Sequence, residues 1–553
     1  METIQVLDGI RFADMIQGGY ANLRTQASRI NDLNVFPIPD GDTGDNMLLT
    51  MLGGVDAGKA REGNLAETSR KIADGMLLSA RGNSGVILSQ FFDGIAAGFS
   101  GIDEADSKQI SAALKCGVDH AYKAVLTPTE GTVLTVAREA AEYVERNEAQ
   151  TPYDLIQNFI EEAKRSLDKT PELLPVLKKA GVVDSGGAGL VCIMEGMAKS
   201  LNGEIFLDED GNSIDVSVGS SGATQDIDIS LFDENSVLEF GYCTELLVRL
   251  QTSKININEF DIADVTDYLQ QIGDSVAAFR TGTIVKIHVH TMTPDKVLSF
   301  CQKYGEFLKI KIENMSLQHN NSALADKEEV IEEVRPHSDF AIVAVCSGEG
   351  VENLFKETGA DIVISGGQSM NPPTEDFIDA FKRANADTIY VLPNNSNIIL
   401  TARQAASMYQ DADIRVIESR TIGDGFAALS MYDSNSGDPD VIEDELISAM
   451  QGVMTAEISR AVRDTQEVKA GEYIGFVGKN ILADDYSRFD ATCKTIDKLG
   501  IERADLCMII YGKDADEEEA GRIQTYVNST YPDKEAFTYE GKQDIYDYII
   551  ILQ

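Results

Sequence analysis

Residues 34–47 read NVFPIPDGDTGDNM, and this segment is the most informative about the fold and the kind of site in the chain. Two prolines stiffen its approach, Asp40 and Asp42 flank a glycine, and the pattern predicts a helix over residues 46–52. Carboxylates crowded into a tight turn repel each other unless a cation lies between them, and Mg²⁺ binds one or two carboxylates together with phosphate oxygens. The helix N-terminus offers backbone N–H groups to phosphate. An Asp-rich turn that caps a helix without any metal explains the spacing equally well.

Three more glycine-rich loops precede predicted helices in the same part of the chain. They read ARGNSGV at 80–86, PTEGTV at 128–133 and VDSGGAGL at 183–190. Gly82 and Gly85 let a ligand approach the backbone closely, while Asn83 and Ser84 add hydrogen-bond donors. Each loop alone is a weak signal, but four of them at helix starts together predict a nucleotide site. The absence of GxxxxGK[ST] and GxGxxG patterns excludes a P-loop or a Rossmann site.

Hydrophobic periodicity divides the chain into three domains. The first apolar stripe at helical spacing comprises Ile10, Phe12, Met15, Ile16, Tyr20 and Leu23. The predicted division is an all-α domain at 1–201, a linker at 202–235, an α+β domain at 236–317, a linker at 318–337 and an α/β domain at 338–553. The β-α-β-β-α-β order of the middle domain predicts a ferredoxin-like sandwich, and short apolar strands from Phe340 onward predict a parallel sheet.

Composition excludes several classes of function. The 553 residues include 47 Lys and Arg against 91 Asp and Glu, for a formal net charge of -44, which disfavours nucleic acids and anionic membranes. Seven scattered cysteines without a CxxC pair suit a reducing cytoplasm. Neither a signal peptide nor an apolar run of 18 residues is evident, so we expect no transmembrane segment. A lipid substrate would therefore have to arrive in soluble form.

Several of these motifs resemble those of a known family of kinases. The segments NVFPIPDGDTGDNM, ARGNSGVILSQFF and VVDSGGAGL resemble the nucleotide-binding subunit of dihydroxyacetone kinases, and still more the kinase subunit of bacterial fatty acid kinases. The resemblance covers the whole chain, because KIHVHT and IKIENM match the middle domain, and ISGGQSMNPPTEDF and VLPNNSNIILTA match a DegV-like C-terminal domain. It implies an eight-helix ATP-binding domain with Mg²⁺, a fatty acid acceptor held by a separate fatty-acid-binding carrier protein, and a homodimer.

The resemblance also implies roles for particular residues. Asp40 and Asp42 fall on the metal-binding aspartates of the motif. The implied nucleotide contacts are Thr43, Gly44, Asn46, Gly82, Asn83, Ser84, Gly85, Thr132 and Asp184. Dihydroxyacetone kinases carry a third aspartate upstream, which residues 34–39 lack. Asp45 either supplies that charge or favours the helix N-terminus, and the second interpretation is preferred. Arg81 beside the phosphate loop either adds catalytic positive charge or makes a surface contact.

A carboxylate acceptor suits such a site, because it is ionised at pH 7 and needs no general base. Two alternatives remain. A dihydroxyacetone-type kinase would phosphorylate a small hydroxylated molecule without an acyl carrier. A non-catalytic nucleotide-binding scaffold would bind Mg·ATP without phosphoryl transfer, and the missing third aspartate keeps this hypothesis open.

The middle domain contains a candidate zinc site. His288 and His290 lie two apart on a predicted strand and so share a face, and Cys243 on an earlier strand could lie beside them. Spacing alone favours an ordinary packed sheet face, whereas the resemblance implies that these three residues bind Zn²⁺. Glu245 and His319 are weaker candidates for a fourth ligand.

The C-terminal domain places polar loops after its predicted strands, at the usual binding edge of a parallel sheet. These loops contain Gly366, Gly367, Ser369, Asn371, Asn394, Asn395 and Ser396. The resemblance implies that this domain docks the carrier rather than holding lipid, although loop geometry alone explains the residues as well. Cys346, Cys493 and Cys507 are predicted to be core residues.

Overall fold

The computed structural model provides the following description of the chain. The described residues are 5–34, 41–60, 63–203, 242–257, 260, 262–281, 283–314, 335–367, 371–434, 437–465 and 468–553. The predicted linkers therefore lie almost entirely outside the described residues. Within the described ranges, every helix is too short or too polar to cross a membrane.

The N-terminal domain is all-helical, as predicted. Its α-helices are α1 (Gly9–Asn31), α2 (Thr43–Ala57), α3 (Leu65–Ser79), α4 (Gly82–Gly98), α5 (Ser107–Ala124), α6 (Val133–Arg146), α7 (Pro152–Leu173), α8 (Pro175–Ala180) and α9 (Ser185–Leu201). The apolar stripes of these helices pack into one core, in which Phe12, Phe92 and Phe159 are at most 3% exposed. Local capping supports the helices: Asp106 and Gln109 form a reciprocal capping box at the start of α5.

Two helices begin earlier than the sequence pattern predicts. The helix expected over 46–52 starts at Thr43, and the helix expected from residue 85 starts at Gly82. In both cases the first turn is made of small and polar residues, which carry no apolar signal.

The middle domain has the predicted element order. It contains β1 (Tyr242–Leu250), α10 (Ile262–Ile272), β2 (Asp274–Thr281), β3 (Ile284–Thr291), α11 (Pro294–Cys301) and β4 (Gly305–Asn314). The antiparallel sheet has the order β2-β3-β1-β4, which is that of a ferredoxin-like sandwich. Leu246, Leu269 and Val285 are almost completely buried between this sheet and the two helices.

The C-terminal domain contains two sheets and the helices that cover them. The first half contains β5 (Ser338–Cys346), α12 (Glu349–Thr358), β6 (Ile362–Ser365), α13 (Thr374–Ala384), β7 (Ala386–Leu392), α14 (Ile399–Met408), β8 (Asp413–Val416), α15 (Ile422–Ser430) and α16 (Pro439–Met450). The second half contains β9 (Met454–Arg460), β10 (Tyr473–Val477), β11 (Asn480–Asp485), α17 (Arg488–Leu499), β12 (Leu506–Tyr511), α18 (Glu517–Thr530), β13 (Glu535–Glu540) and β14 (Tyr548–Leu552).

The first sheet is parallel with the order β6-β5-β7-β8, as the apolar strands predict. The second sheet has the order β11-β10-β9-β14-β12-β13 and is parallel only between β12 and β13, an arrangement that the sequence analysis did not foresee. Cys346, Cys493 and Cys507 are all buried, as predicted.

Direct hydrogen bonds join the helical domain to the C-terminal domain. The backbone N–H of Thr374 donates to the carbonyl of Ala80 at 3.2 Å. The side-chain amide of Gln404 donates to the carbonyl of Leu77 at 2.7 Å. The edge of the parallel sheet that follows β6 and β7 therefore lies against the loop between α3 and α4.

Candidate functional site

The N-termini of α2, α4, α6 and α9 open onto one cavity of about 540 Å³. Three of the N-cap residues, Asp42, Arg81 and Thr132, make no side-chain cap hydrogen bond within the described part of the chain. Among the first-turn N–H groups, that of Gly44 donates to Asn31 and that of Val133 donates to Asp184. The other first-turn N–H groups are the candidates for binding an anion, and the helix dipoles favour negative charge at the same place.

Both domains contribute walls to this cavity. The helical domain contributes Asn34, Asp42, Thr43, Asn46, Asn83, Ser84, Ile87, Thr132, Val133, Asp184, Ser185 and Gly186. The C-terminal domain contributes Ser396, Asn397, Arg420, Thr421, Glu457, Phe476, Gly478, Lys479 and Tyr546. Seven predicted site residues, from four separate loops, thus meet in one place: Asp42, Thr43, Asn46, Asn83, Ser84, Thr132 and Asp184.

Asp42 precedes α2 and lies at the boundary between the two domains. Burial raises the pKa of its carboxyl group to about 6, although hydrogen bonds from Asn46 and Asn371 oppose the shift. Asp45 differs, because it is exposed and accepts a hydrogen bond from Nδ2 of Asn31 at 2.9 Å. Asp45 is not among the described residues that line the cavity.

Asp184 forms the N-cap of α9. Its carboxylate accepts a hydrogen bond from the backbone N–H of Gly187 at 2.7 Å, and burial raises its pKa to about 6. The hydroxyl groups of the next residue, Ser185, and of Thr43 lie 3.2 Å apart. The starts of α2 and α9 are therefore in direct contact.

The glycines of the loop at 80–86 pack against α2, next to the residues that line the cavity. Gly82 has a φ of +56°, and a Cβ atom there would lie 2.6 Å from Nδ2 of Asn46. A Cβ atom on Gly85 would lie 2.5 Å from Oγ1 of Thr50. Gly44 is buried, and its N–H donates to Oδ1 of Asn31 at 2.7 Å. Gly82 and Gly85 allow close packing of α4 against α2, and Gly44 allows close packing of α2 against Ala27 of α1. None of the three is a cavity residue.

The side chain of Arg81 lies at the boundary between the helical domain and the C-terminal domain. Its Nη1 atom lies 3.4 Å from the carbonyl oxygen of Asn371, and burial lowers the pKa of its guanidinium group while the nearby Asp376 opposes the shift. It is not among the residues that line the cavity.

The C-terminal wall was foreseen only in part: Ser396, from a loop predicted at the binding edge of the parallel sheet, lines the cavity, whereas its charged residues were not expected there. Arg420 and Lys479 bring positive charge, whereas Glu457 on β9 is half-buried in the cavity wall, and desolvation there raises the pKa of its carboxyl group to about 8. One sequence signal was available: Thr421 and Asp424 form a capping box at the start of α15, which marks a helix N-terminus after a strand.

Several predicted site residues lie outside the described parts of the chain. These are Asp40, Ser369 and His319, together with the side chains of Cys243, Glu245, His288 and His290. The backbone register pairs Cys243 with His290, and Glu245 with His288, on the neighbouring antiparallel strands β1 and β3. No metal-binding group of three His, Cys, Asp or Glu occurs among the side chains that are described.

Comparison with known proteins places these features in a family. Residues 37–199 match the DAK2 domain, residues 239–322 match the FakA-like middle domain of fatty acid kinase, and residues 341–553 match the FakA-like C-terminal domain of fatty acid kinase. The chain is 40% identical to protein YloV of Bacillus subtilis over 559 residues, with 99% of both chains covered.

Two solved structures are similar to parts of the chain. DegV, a fatty acid binding protein from Bacillus subtilis, is 15% identical, with a TM-score of 0.31, and covers 39% of this chain and 99% of its own. The dihydroxyacetone kinase from C. freundii in complex with AMP-PNP and Mg²⁺ is 19% identical, with a TM-score of 0.28, and covers 34% of this chain and 33% of its own.

The all-helical domain is a DAK2 domain over residues 37–199, and the DAK2 and FakA-like matches together support a kinase. The matches to all three domains, together with the 40% identity over the whole chain, show that it belongs to the FakA-like family of fatty acid kinase proteins.

Proposed function

We propose that this protein transfers the γ-phosphate of ATP to the carboxylate of a fatty acid that a separate fatty-acid-binding carrier protein presents, giving an acyl phosphate for phospholipid synthesis. The observation that carries the proposal is the convergence of four helix N-termini and two acidic N-cap residues, Asp42 and Asp184, on one cavity. Family membership supports the fatty acid as acceptor.

The cavity fits a nucleotide triphosphate with Mg²⁺. Its volume of about 540 Å³ is in the range of small-molecule sites. Its carboxylates are hard oxygen ligands of the kind that Mg²⁺ prefers, and Asn83 holds a buried Oδ1 atom without a hydrogen-bond partner among the described residues. Asp42 and Asp184, with Asp40 from the same motif, would hold the ion.

The chain's own groups bind and orient the phosphates. N–H groups in the first turn of α4, with those of α2 and α6 other than Gly44 and Val133, donate to phosphate oxygens, and Thr43 and Ser84 add hydroxyl donors. Apolar side chains of Ile87 and Val133 provide a surface for the base. A bound Mg²⁺ would neutralise negative charge on the phosphoryl group that is transferred.

A carboxylate acceptor is already a nucleophile at neutral pH, so the site needs positioning and charge neutralisation rather than a base. The described residues that line the cavity include no histidine, and Arg420 and Lys479 provide positive charge where two anions must meet. These features favour a carboxylate over a hydroxyl acceptor.

Phosphate transfer from γ-labelled ATP tests the proposal. The full chain is mixed with Mg²⁺, a long-chain fatty acid and a candidate carrier, and a parallel reaction contains dihydroxyacetone without carrier. We expect labelled acyl phosphate only when the carrier is present. Asp42→Asn should reduce the rate at least a hundredfold, whereas Asp45→Asn, a matched change at an exposed neighbour, should leave it within about twofold.

Other outcomes identify the alternatives. Labelled triose phosphate without acyl phosphate would contradict the fatty acid acceptor and indicate a dihydroxyacetone-type kinase. Binding of Mg·ATP without transfer to either acceptor would indicate a nucleotide-binding scaffold.

We also propose that Cys243, His288 and His290 bind Zn²⁺ and that the protein is a homodimer. The backbone register supports the first proposal, because it pairs Cys243 with His290 on neighbouring strands. Zinc analysis of purified protein and of Cys243→Ser tests it, with loss of about one zinc per chain expected. Light scattering at several concentrations tests the dimer, and a monomeric mass would contradict it.

A further inference from the structure

Asn371 of the C-terminal domain contacts the acidic N-cap of α2. It lies between β6 and α13 and is only 2% exposed. Its Nδ2 atom donates a hydrogen bond to Oδ2 of Asp42 and a second, at 3.5 Å, to Oδ1 of Asn46. Within the described part of the chain, the Asp42 carboxylate makes no cap hydrogen bond to α2. The side-chain amides of Asn46 and Asn371 therefore orient this carboxylate.

The hydrogen bond from Asn371 uses only one of the two carboxylate oxygens. Oδ2 of Asp42 accepts it, and Oδ1 lies outside this contact. A carboxylate can bind Mg²⁺ through one oxygen. Neighbouring side chains that donate hydrogen bonds to such a ligand fix its orientation and raise the affinity for the metal. The contact therefore suits a metal ligand that is held in place from the other domain.

The chain that follows Asn371 fixes its position. Two prolines at 372–373 restrict the backbone torsions. The N–H of the next residue, the fully buried Thr374, donates to the carbonyl of Ala80 at 3.2 Å. Nε2 of Gln404 in turn donates to Oγ1 of Thr374 at 3.1 Å. Asn371 is thus held against the helical domain by contacts that do not involve Asp42.

A second side chain of the C-terminal domain holds the segment that leads into the motif. Nη1 of Arg463 donates to the carbonyl of Asp32 at 3.0 Å and to that of Asn34, which lines the cavity. These carbonyls follow the last turn of α1, where a positive charge also suits the helix dipole. Arg463 and Asn371 therefore contact the aspartate motif at two places, before it and at Asp42.

We infer that Asn371 is a positioning residue for Asp42, through which the docked C-terminal domain completes the site for Mg·ATP. The inference rests on the Mg·ATP site proposed above. The same domain lines the cavity with Arg420 and Lys479, so domain docking and nucleotide binding support each other. Without the amide, the carboxylate gains rotational freedom that Mg²⁺ must then restrict, which lowers the affinity for the metal.

Binding of AMP-PNP to the full chain in the presence of Mg²⁺, measured by calorimetry, tests the inference. Asn371→Ala should weaken binding at least about tenfold, the usual cost of losing a residue that orients a metal ligand. The Mg²⁺ concentration for half-maximal binding should rise by a similar factor. Asn371→Leu keeps the volume and removes the donor, so it should behave alike and replaces Asn371→Ala if that variant does not fold. Asn147→Ala, at an exposed helix end, should leave the affinity unchanged.

A double-mutant cycle with Asp42→Asn distinguishes positioning from a general loosening of the domain boundary. In the Asp42→Asn background, Asn371→Ala should weaken the remaining binding by less than about twofold, because the carboxylate that it orients is gone. Gln404→Ala removes another buried amide of the boundary, one that donates to the carbonyl of Leu77. As the matched control, Gln404→Ala should change the affinity by the same factor in both backgrounds.

The outcomes separate a failure of the inference from a failure of the proposed site. Asn371→Ala that binds as tightly as the wild type, or that loses the same factor in both backgrounds, would overturn the positioning role. If Asp42→Asn binds Mg·AMP-PNP normally, the nucleotide site itself is wrong. If Asp42→Asn loses binding while Asn371→Ala equals the wild type, only the positioning role is wrong.

Discussion

Glu457 offers a perturbation whose size follows from the structure. It lies on β9 in the C-terminal wall of the cavity, where burial raises the pKa of its carboxyl group to about 8, and the negative charge of Asp424 adds to the shift. Near neutral pH the folded chain therefore holds this carboxyl group mostly protonated, whereas the unfolded chain ionises it. Replacement by glutamine keeps the shape and removes the ionisation.

The direction and size of the pH effect of Glu457 on the free energy of unfolding follow from the difference between its folded and unfolded pKa. A carboxyl group with a raised folded-state pKa contributes stability that is present below its unfolded pKa of 4.5 and is lost progressively until pH passes about 8. At about 1.4 kcal/mol per pKa unit, the full shift corresponds to about 5 kcal/mol. Most of this change falls between pH 5 and pH 9, so the advantage of Glu457→Gln over the wild type should grow by about 4 kcal/mol across that window.

Scanning calorimetry across this pH range measures the effect. For a domain of 150–250 residues, about 4 kcal/mol corresponds to a difference in Tm of about 8–16 °C. Asp42 and Asp184, the other cavity groups with raised pKa values, titrate in both proteins and cancel in the comparison. Glu535→Gln, at an exposed position on β13, serves as the matched control. A Tm difference that does not change with pH would refute the assigned ionisation of Glu457.

Two further predictions concern the helical wall. Gly82→Ala should destabilise the chain by about 1–2 kcal/mol and weaken Mg·ATP binding, because φ is +56° and the new Cβ would lie 2.6 Å from Nδ2 of Asn46. Gly521→Ala, in open space on α18, should instead be neutral or stabilising when both are compared by thermal unfolding. Protonation competes with Mg²⁺ for Asp42 and Asp184, whose pKa values are raised to about 6. Titration calorimetry should therefore show Mg·ATP affinity falling at least tenfold between pH 7 and pH 5, and a flat profile would contradict their role.

Local patterns predicted the helical domain because each amphipathic helix turns one face to a shared core. Phe12, Met15 and Ile16 recur at helical spacing and are all at most 3% exposed. The same stripe included Ile10, which is 42% exposed, since the pattern runs slightly past the buried face of α1. Apolar spacing therefore predicts the class of fold more accurately than it predicts which residues at the margin of a helix face are buried.

The residues of the cavity were predictable mainly on one side, although Ser396 and Asn371 of the other side lie in loops predicted at the binding edge of the parallel sheet. Its helical wall comes from glycine and aspartate loops whose chemistry is visible in short motifs, such as Asp42 and Asp184. The opposite wall depends on how the C-terminal domain docks, and the contacting residues Asn371 and Asp42 are more than 300 positions apart. No local pattern encodes such a contact. Glu457 gives no such signal either, because its strand reads MTAEISR and mixes apolar with polar residues.

The central structural claim is that the cavity between the four helix N-termini binds Mg·ATP, and direct titration with AMP-PNP tests it most sharply. We expect one AMP-PNP per chain, bound only with Mg²⁺, with affinity reduced at least a hundredfold by Asp42→Asn and unchanged by Asp45→Asn. Equal affinity of the wild type and Asp42→Asn, with Mg²⁺ present, would contradict the claim and place the nucleotide elsewhere.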